Sequence, residues 1–316
     1  MNEKIIISPL DWGLGHATRC VPIIRSFLQQ GVEVEIASAT AHRNFFALEF
    51  PNLIWREAPA YDIKYPEYGW QMPFWIFGQR FRIKKIMQEE NKWLADLCEK
   101  QKYMQIISDN RFGFFNRKIK SIYITHQLRI AFPQPFAIFE KIGEAWHRGI
   151  MKNFDEIWVP DYEEFPGLAG KLSHPSYTDI RIKYIGPKSR LANSQLSLDS
   201  QLKNFDILAL ISGPEPQRSF FEKYAIKFLT ENPGNHCMVR GLPDEREVPD
   251  LPFQVFNHLS SADLREKILT SRTVLCRSGY STIMDLKLLK ANAILIPTPG
   301  QTEQIYLAKL WKSANG

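Results

Sequence analysis

The chain has 316 residues, of which 44% are hydrophobic and 23% are charged. This length allows two domains with separate cores, and the composition is that of a folded globular protein rather than a disordered one. The net charge of +6 favours anionic partners such as phosphates and nucleotides. Because no basic tail and no RNA-binding signature occur in the sequence, a nucleic-acid partner is not expected.

The cellular location is predicted from the start of the chain, the apolar runs and the cysteines. The opening residues MNEKIIISPL lack the long apolar run of a signal peptide. No run approaches the roughly 18 apolar residues that suggest a membrane span. The four cysteines show no Cys-x-x-Cys spacing, so no zinc site or redox pair is predicted. We therefore expect a cytoplasmic protein, with the inner face of the membrane as an alternative location.

Short apolar runs alternate with helical patterns along the first half of the chain. A β-branched run over residues 4–8, a glycine loop, a helix over 17–30 and a second strand over 32–37 predict a βαβ unit. Further elements are predicted as strands over 104–108, 121–125, 156–159 and 181–185 and a long helix over 84–100.

The same alternation restarts after a polar, serine-rich stretch. We interpret residues 189–204 as a linker between a first domain over 1–188 and a second domain over 205–316. The second domain is predicted to contain strands over 205–211, 236–240, 253–256, 273–276 and 293–296 and helices over 217–228, 262–270, 282–289 and 303–311. Two such α/β domains form a cleft, and ligands bind outside the carboxyl ends of their strands.

The loop after the first predicted strand contains Gly13, Gly15, His16 and Arg19. Its glycines allow close approach of the backbone to a ligand, and the following helix offers free N–H groups to a phosphate. Because the third glycine of a dinucleotide fingerprint is missing, a nicotinamide cofactor is not expected. A histidine here is suited to accept a proton near neutral pH, although a capping or solvent-facing histidine explains it equally well.

Loops of the second domain combine hydroxyl groups with predicted helix starts. Ser278, Gly279 and Ser281 follow a buried strand and precede a helix, an arrangement that suits a diphosphate. Asp285 lies one turn further along, where its carboxylate is able to accept from ribose hydroxyls. An N-cap by Ser281, with Asp285 stabilising the helix dipole, is the alternative interpretation.

The runs RSGYSTIMDL and PTPGQTEQIYLAKL are similar to the C-terminal donor-binding signature of family 28 glycosyltransferases. Residues 13–16, 108–113 and 125–127 resemble the N-terminal loops of that family, which includes the lipid II-forming N-acetylglucosaminyltransferases. The resemblance spans residues 4–311 and implies an α/β GT-B fold, in which two Rossmann-like, doubly wound domains face each other across a cleft. The acceptor would bind the first domain, and a nucleoside-diphosphate sugar, UDP-linked in this family, would bind the second.

The resemblance also implies roles for individual residues. The predicted donor-binding residues are Ser212, Gly213, Arg218, His258, Leu259, Arg277, Ser278, Gly279, Ser281, Thr282, Asp285, Gln301, Glu303 and Gln304. The predicted acceptor-side and phosphate-loop residues are Gly13, Gly15, Arg19, Asn110, Arg111 and Gln127. His16 is the predicted general base, with Asp109 and His126 as further catalytic candidates at neighbouring strand ends.

The sequence departs from the family pattern at three places. Asp285 stands where the family has a glutamate, and Ser-Gly-Pro-Glu-Pro over 212–216 replaces a glycine-rich loop. The sequence also ends soon after the last motif, so the second domain is expected to lack the final helices of the family.

We therefore predict an inverting transfer of a hexosyl or N-acetylhexosaminyl group from a nucleoside diphosphate to an acceptor hydroxyl. No metal or other cofactor is expected, because no Asp-x-Asp pair is present. The alternatives are a sugar-nucleotide epimerase with the same fold and a non-catalytic sugar-nucleotide-binding protein. The acceptor is expected to be a glycan or a lipid-linked sugar. Aromatic and basic residues over 65–85 suit a membrane surface or such a lipid, and equally suit packing beneath a loop.

Overall fold

A computed structural model describes residues 3–62, 72–132, 140–177, 179–192 and 203–315, except for the side chains of 72–77, 80 and 315. Within these ranges the chain forms two parallel sheets with helices between the strands. The strands of the first sheet are β1 (Lys4–Pro9), β2 (Glu33–Ser38), β3 (Ile54–Glu57), β4 (Gln105–Asp109), β5 (Lys120–Ile124), β6 (Glu156–Val159) and β7 (Ile182–Tyr184). The helices of this half are α1 (Leu14–Gln29), α2 (Arg43–Glu49), α3 (Met72–Lys100) and α4 (Glu140–Met151).

The second sheet is smaller and is built in the same way. Its strands are β8 (Phe205–Leu210), β9 (His236–Val239), β10 (Gln254–Phe256), β11 (Ser271–Cys276) and β12 (Ala293–Leu295). Its helices are α5 (Gln217–Glu231), α6 (Ser261–Leu269), α7 (Tyr280–Leu288) and α8 (Thr302–Asn315).

Both sheets are doubly wound. The strand order is β3-β2-β1-β4-β5-β6-β7 in the first sheet and β10-β9-β8-β11-β12 in the second. The order therefore reverses between β1 and β4 in one sheet and between β8 and β11 in the other. The loops after these four strands border the crevice in which ligands of open α/β sheets bind.

The continuous apolar runs of the central strands reflect burial on both faces of a parallel sheet. Successive side chains of a strand point to opposite faces, so Ile5 and Ile7 belong to the core beneath α1 and α2, whereas Ile6 belongs to the core on the opposite face. Leu191 is fully buried in the core of the second sheet, although it lies at the start of the predicted linker. Residues 193–202 of that linker lie outside the described ranges.

The predicted strands and helices are present, with some changes at their ends. Helix α1 begins at Leu14 instead of residue 17, because Gly13 supplies the positive φ of 69° that joins the loop directly to the helix. His16 therefore lies in the first turn of α1 rather than in the loop. The sequence patterns did not predict β3, α2 or α4. Among the described helices, none has the length and apolar character needed to cross a membrane.

Candidate active site between the two sheets

The first half of the candidate site lies where the first sheet changes direction. Pro9 at the end of β1 is paired in register with Asp109 at the end of β4. His16 and Arg19 lie on the first turns of α1, directly after β1. The parallel pairing of β1 and β4 therefore brings a histidine, an arginine and a carboxylate together from positions about 90 residues apart.

Asp109 is the centre of this cluster. Arg19 donates from Nε and Nη2 to the two carboxylate oxygens of Asp109, which is a bidentate ion pair. Nδ1 of His16 lies 2.7 Å from Oδ1 of Asp109. Asp109 and Arg19 are buried, with 0% and 2% of their side chains exposed, whereas 17% of the His16 side chain is exposed toward the cleft.

The charges of the cluster fix its protonation near neutral pH. Burial alone would raise the pKa of Asp109, but the charge and hydrogen bonds of Arg19, with a smaller contribution from His16, together lower it to about 2. Burial, and then the positive charge of Arg19, lower the pKa of His16 below its usual 6.5. At neutral pH we therefore expect an ionised Asp109 beside a neutral His16.

A second histidine links this cluster to the other sheet. Nδ1 of His126, in the loop after β5, lies 3.3 Å from Nη1 of Arg19. Its Nε2 lies 2.7 Å from Oε1 of Glu303 in the first turn of α8, and Gln127 donates to the other oxygen of Glu303. The ring of His126 also stacks on Tyr280, with centroids 4.0 Å apart and planes at 7°. His126 is thus held by groups from both halves of the chain.

The second half of the candidate site is made of helix starts. Helices α5 and α7 follow β8 and β11, the two strands at which the second sheet changes direction. Helix α7 has no side-chain N-cap and no acidic residue in its first turn, and the same is true of α1. By contrast, α6 begins with a Ser260 cap and carries Asp263 in its first turn. At the start of α5 the Glu215 carboxylate accepts from the backbone N–H of Ser219 at 3.2 Å. The uncapped starts of α1 and α7 present backbone N–H groups and a positive dipole end, which suit an anion.

The two halves touch across the cleft. Ser281 of α7 donates from Oγ to the carbonyl oxygen of Gly15 at 2.8 Å. A Cβ atom on Gly13 would lie 3.7 Å from the backbone of Gly213, which itself has a φ of 113°. The glycine loops after β1 and β8 therefore approach at the level of their backbones, and the predicted residues Gly13, Gly15, Gly213 and Ser281 lie together.

Two predicted arginines pair with carboxylates of their own half of the chain. Arg111 is fully buried and pairs with Glu90 of α3, instead of reaching the acceptor side. Arg218 pairs with Glu215 at 2.6 Å and with Glu222 at 2.7 Å, instead of facing a phosphate. A buried guanidinium needs such partners because desolvation of an unpaired charge is costly.

Arg277 has no carboxylate partner among the residues in the structure. It donates to the carbonyl oxygens of Ile296, Pro297 and Gln217 and stacks on Phe221 at 4.4 Å. Burial lowers the pKa of Arg277 to about 10. Its contacts hold the loop after β11 against α5, which is a structural role.

Other predicted residues brace the loops in which they lie. Gln304 accepts from the backbone N–H of Thr298 at 2.9 Å and donates to Gln301, so its amide closes its own turn. Ser278 donates to the carbonyl oxygen of Gln304 at 2.8 Å. His258, beside Leu259, packs edge-on against Phe45 of the first half, and burial lowers its pKa to about 4.

Asn110 and Ser212 lie at strand ends beside the cleft. Asn110 adopts a left-handed φ of 57° and accepts from the Tyr123 hydroxyl at 2.9 Å. Ser212 follows β8, and Thr282 lies in the first turn of α7, where both are half-buried. Their donor contacts stay predictions.

Asp285 faces the segment that follows β7. Ser189 donates to its Oδ1, and Arg190 lies near enough to favour its ionised form. Burial nevertheless dominates and raises the pKa of Asp285 from 3.8 to about 6. A ribose that binds here would compete with Ser189 for the carboxylate.

The raised pKa of Asp285 predicts a pH-dependent cost. As pH rises from 3.8 to about 6, the unfolded chain loses this proton before the folded chain does, so the folded state loses up to about 3 kcal/mol. We expect Asp285→Asn to abolish that loss and to be more stable than the unmodified protein at pH 7.5. Urea denaturation at pH 4.5 and pH 7.5 measures it, and an unchanged pH dependence in the variant would contradict the assignment.

Several residues of the site carry no role in the sequence prediction. Tyr280 stacks on His126 and donates to the carbonyl oxygen of Pro160 at 2.8 Å. Glu49 at the end of α2 joins Arg25, Arg190 and Ser261 across the two halves. The position of Tyr280 between Ser278 and Ser281 could have indicated a role at the site. Nothing local in the sequence indicates such a role for Glu49.

The aromatic stretch over 65–85 lies largely outside the described residues. Within the described part, 71% of Phe81 on α3 is exposed. On α4, 65% of Ile142 and 49% of Trp146 are exposed.

No protein-family model and no curated protein sequence matches the chain. Several solved structures do match it. The spinosyn rhamnosyltransferase SpnG complexed with thymidine diphosphate is 13% identical with a TM-score of 0.64, and the match covers 98% of this chain and 84% of SpnG. The spinosyn forosaminyltransferase SpnP is 11% identical with a TM-score of 0.61, over 99% of this chain and 84% of SpnP.

MurG of Acinetobacter baumannii is 12% identical with a TM-score of 0.53, and the match covers 99% of this chain and 83% of MurG. These neighbours are GT-B glycosyltransferases. Likeness at such low sequence identity defines the fold, and it agrees with the two doubly wound parallel sheets. The chain therefore has the GT-B fold of two Rossmann-like domains, as the sequence predicted.

Proposed function

We propose that this protein transfers a hexosyl or N-acetylhexosaminyl group from a nucleoside diphosphate to an acceptor hydroxyl, with inversion. The observation that supports this most strongly is the pairing of His16 with Asp109 at one edge of the cleft, opposite the uncapped start of α7. One edge offers a base, and the other offers a site for a diphosphate leaving group.

His16 is suited to remove the proton of the acceptor hydroxyl. When Nδ1 donates to Asp109, Nε2 carries the lone pair and is free to accept a proton. Asp109 then stabilises the imidazolium that forms, as a carboxylate does beside other catalytic histidines. The burial of Asp109 strengthens this interaction, because few water molecules screen it.

The diphosphate would bind at the start of α7. The negative charge on a nucleoside diphosphate increases as the sugar departs, and free N–H groups at helix starts stabilise such a charge. These groups are already oriented, so the proposal requires no metal ion. The thymidine diphosphate complex of SpnG supports a nucleoside diphosphate as the ligand class.

Glu303 is the proposed contact to the donor sugar. Its carboxylate lies in the first turn of α8 and is held by His126 and Gln127. Burial favours the protonated form of Glu303, but the proximity of His126 keeps the pKa of Glu303 below its usual range. The ionised carboxylate therefore accepts hydrogen bonds from hydroxyl groups. A bound sugar would replace one of these two partners.

A thermal-shift screen with UDP, TDP, GDP and their sugars tests the donor site. A ligand that binds the folded state at about 100 times its Kd should raise Tm by about 4 °C in a protein of this size. Ser281→Asp places a carboxylate at the second position of α7 and should abolish the shift by repelling the diphosphate. Ala262→Asp places the same charge at the second position of α6 and should retain it.

Two results would contradict this assignment. One is the absence of a shift with every nucleotide tested. The other is an equal shift in Ser281→Asp and Ala262→Asp, which would move the diphosphate away from α7.

The contacts of the carboxylates do not favour an epimerase. Asp109 is tied to Arg19, and Asp285 accepts from Ser189. Of the three carboxylates predicted for that reaction, Glu303 alone lies between the two halves with a histidine and an amide as partners. Product analysis without an acceptor distinguishes the two reactions, because an epimerase would convert the donor sugar without releasing it.

A further inference from the structure

Arg19 is a buried positive charge beside His16. It lies one turn after His16 on α1, and 2% of its side chain is exposed. Among the described residues, its guanidinium bonds to Asp109 and His126 and also lies within 2.7 Å of Nδ1 of His16. A phosphate or an acceptor in the cleft cannot approach a side chain that is buried and occupied in this way, so the guanidinium acts on its neighbours.

The guanidinium fixes the tautomer of His126. Arginine is always a donor in proteins, so Nδ1 of His126, 3.3 Å from Arg19, must be the acceptor. The proton of a neutral His126 then resides on Nε2, which donates to Glu303 at 2.7 Å. One arginine on α1 thus orients a histidine that contacts a donor-side carboxylate.

The guanidinium also acts on His16, in two ways. It holds both oxygens of Asp109, which leaves Oδ1 positioned 2.7 Å from Nδ1 of His16. Its Nη2 lies 2.7 Å from the same Nδ1, so this nitrogen either donates to Asp109 or accepts from Arg19. Because Nη2 already donates to Oδ1 of Asp109, and a lone pair on Nδ1 would face that carboxylate, we assign the proton of the neutral ring to Nδ1. The charge of Arg19 then opposes a second protonation of the ring. The titratable groups around His16 are Arg19 and Cys20 on α1, His42 before α2, Asp109 at the end of β4, His126 after β5 and Glu303 on α8.

The other groups in this set do not replace the effect of Arg19. Burial lowers the pKa of His42 to about 4 and raises that of Cys20, so both are neutral near pH 7. Glu303 faces His126, and Asp109 opposes Arg19 because its carboxylate favours the protonated ring. Arg19 is therefore the positive charge that acts most directly on His16.

We propose that Arg19 is a positioning residue that holds Asp109 against Nδ1 of His16 and keeps the imidazole neutral, with Nε2 free. The consequence for catalysis rests on the proposed function, because it is His16 that would accept the acceptor proton. The effect on the imidazole itself is a property of the folded protein without substrate.

¹⁵N NMR of the histidine rings measures the tautomer and the titration midpoint of His16 in the absence of turnover. We expect the Nδ1–H tautomer for His16 in the unmodified protein, with its signal assigned through His16→Gln. In Arg19→Gln the titration midpoint of His16 should rise by on the order of one to two pH units, because the opposing charge is lost and Asp109 is unpaired. Arg25→Gln, two turns further along the same helix, is the matched control and should leave the midpoint unchanged.

The outcomes separate the two proposals. An unchanged midpoint in a folded Arg19→Gln protein, or an Nε2–H tautomer in the unmodified protein, overturns the role of Arg19. If Arg19→Gln does not fold, the tautomer of His16 in the unmodified protein still tests the role of Arg19. The Nδ1–H tautomer supports that role, and the Nε2–H tautomer overturns it. A shifted midpoint in a protein that transfers no sugar would retain the role of Arg19 and remove the proposed function. With activity present, the acid limb of kcat/KM should move upward with the NMR midpoint.

Discussion

Replacing His16 with glutamine is expected to lower kcat by about 10²–10⁴-fold, the range for a lost general acid–base group. Glutamine keeps a polar side chain of similar length but cannot accept the acceptor proton. The His16 side chain is partly exposed at the cleft and is bonded through one nitrogen to Asp109. The free energy of unfolding should therefore change little while turnover is lost. Release of the nucleoside diphosphate, measured with the donor found in the thermal screen, follows the reaction.

The matched control is His174→Gln. His174 lies on the first half of the chain, bonded to the carbonyl oxygens of Gly170 and Glu163, and contacts no residue of the cleft among those described. Its replacement should leave kcat unchanged. If His16→Gln retains turnover within a few-fold of the unmodified protein, His16 is not the base.

The pH profile of the unmodified protein provides a second check. Because burial and Arg19 lower the pKa of His16, activity should persist below the usual histidine value of 6.5. The acid limb of kcat/KM should therefore lie below pH 6.5. A limb above that value would mean that a different group is titrating.

The general layout of the site was predictable because it follows from chain topology. A glycine loop between a buried run and a helical pattern places Gly13 and His16 at a strand end. A second loop of this kind places Gly279 and Ser281 at the end of a strand in the second sheet. Parallel strands carry their loops to one edge of a sheet, and the change of strand order brings two loops together. These rules need only the order of elements along the chain.

The partners of individual charged side chains were not predictable in this way. Arg111 and Arg218 lie in loops that a phosphate would suit, yet each is paired with a carboxylate on a helix. Glu90 is 21 residues before Arg111 on a helix with many other acidic and basic groups. Its burial depends on how α3 packs across the sheet, and no local pattern encodes that packing.

Asp285 illustrates the same limit at a smaller scale. Its position in the first turns of α7 follows from the sequence motif. Its contact with Ser189 depends on the chain returning from the first sheet, about 100 residues earlier. The motif alone therefore predicts a ribose contact and gives no sign of the competing hydroxyl.

Removal of the charge of Glu90 is expected to have the largest effect on stability. Glu90 and Arg111 are both fully buried, and the carboxylate also accepts from the Tyr61 hydroxyl at 2.8 Å and the Gly113 N–H at 2.9 Å. Glu90→Gln leaves the guanidinium of Arg111 buried without a counter-charge. The loss should be about 3–5 kcal/mol in the free energy of unfolding, as for other broken buried pairs.

Glu89→Gln is the matched control, because the same change occurs one residue earlier on the same helix. The Glu89 side chain is 54% exposed and faces Lys85 at 3.7 Å, so its loss should change stability by less than about 0.5 kcal/mol. Urea denaturation measures the free energy of unfolding of both variants. An equal decrease in the two variants would show that the ion pair with Arg111 does not stabilise the fold. Glu90 bonds to Arg111, Tyr61 and Gly113, and among the described residues no hydrogen bond joins it to His16 or Asp109. Glu90→Gln should therefore lower stability strongly while the folded fraction keeps kcat within a few-fold, the reverse of the result expected for His16→Gln.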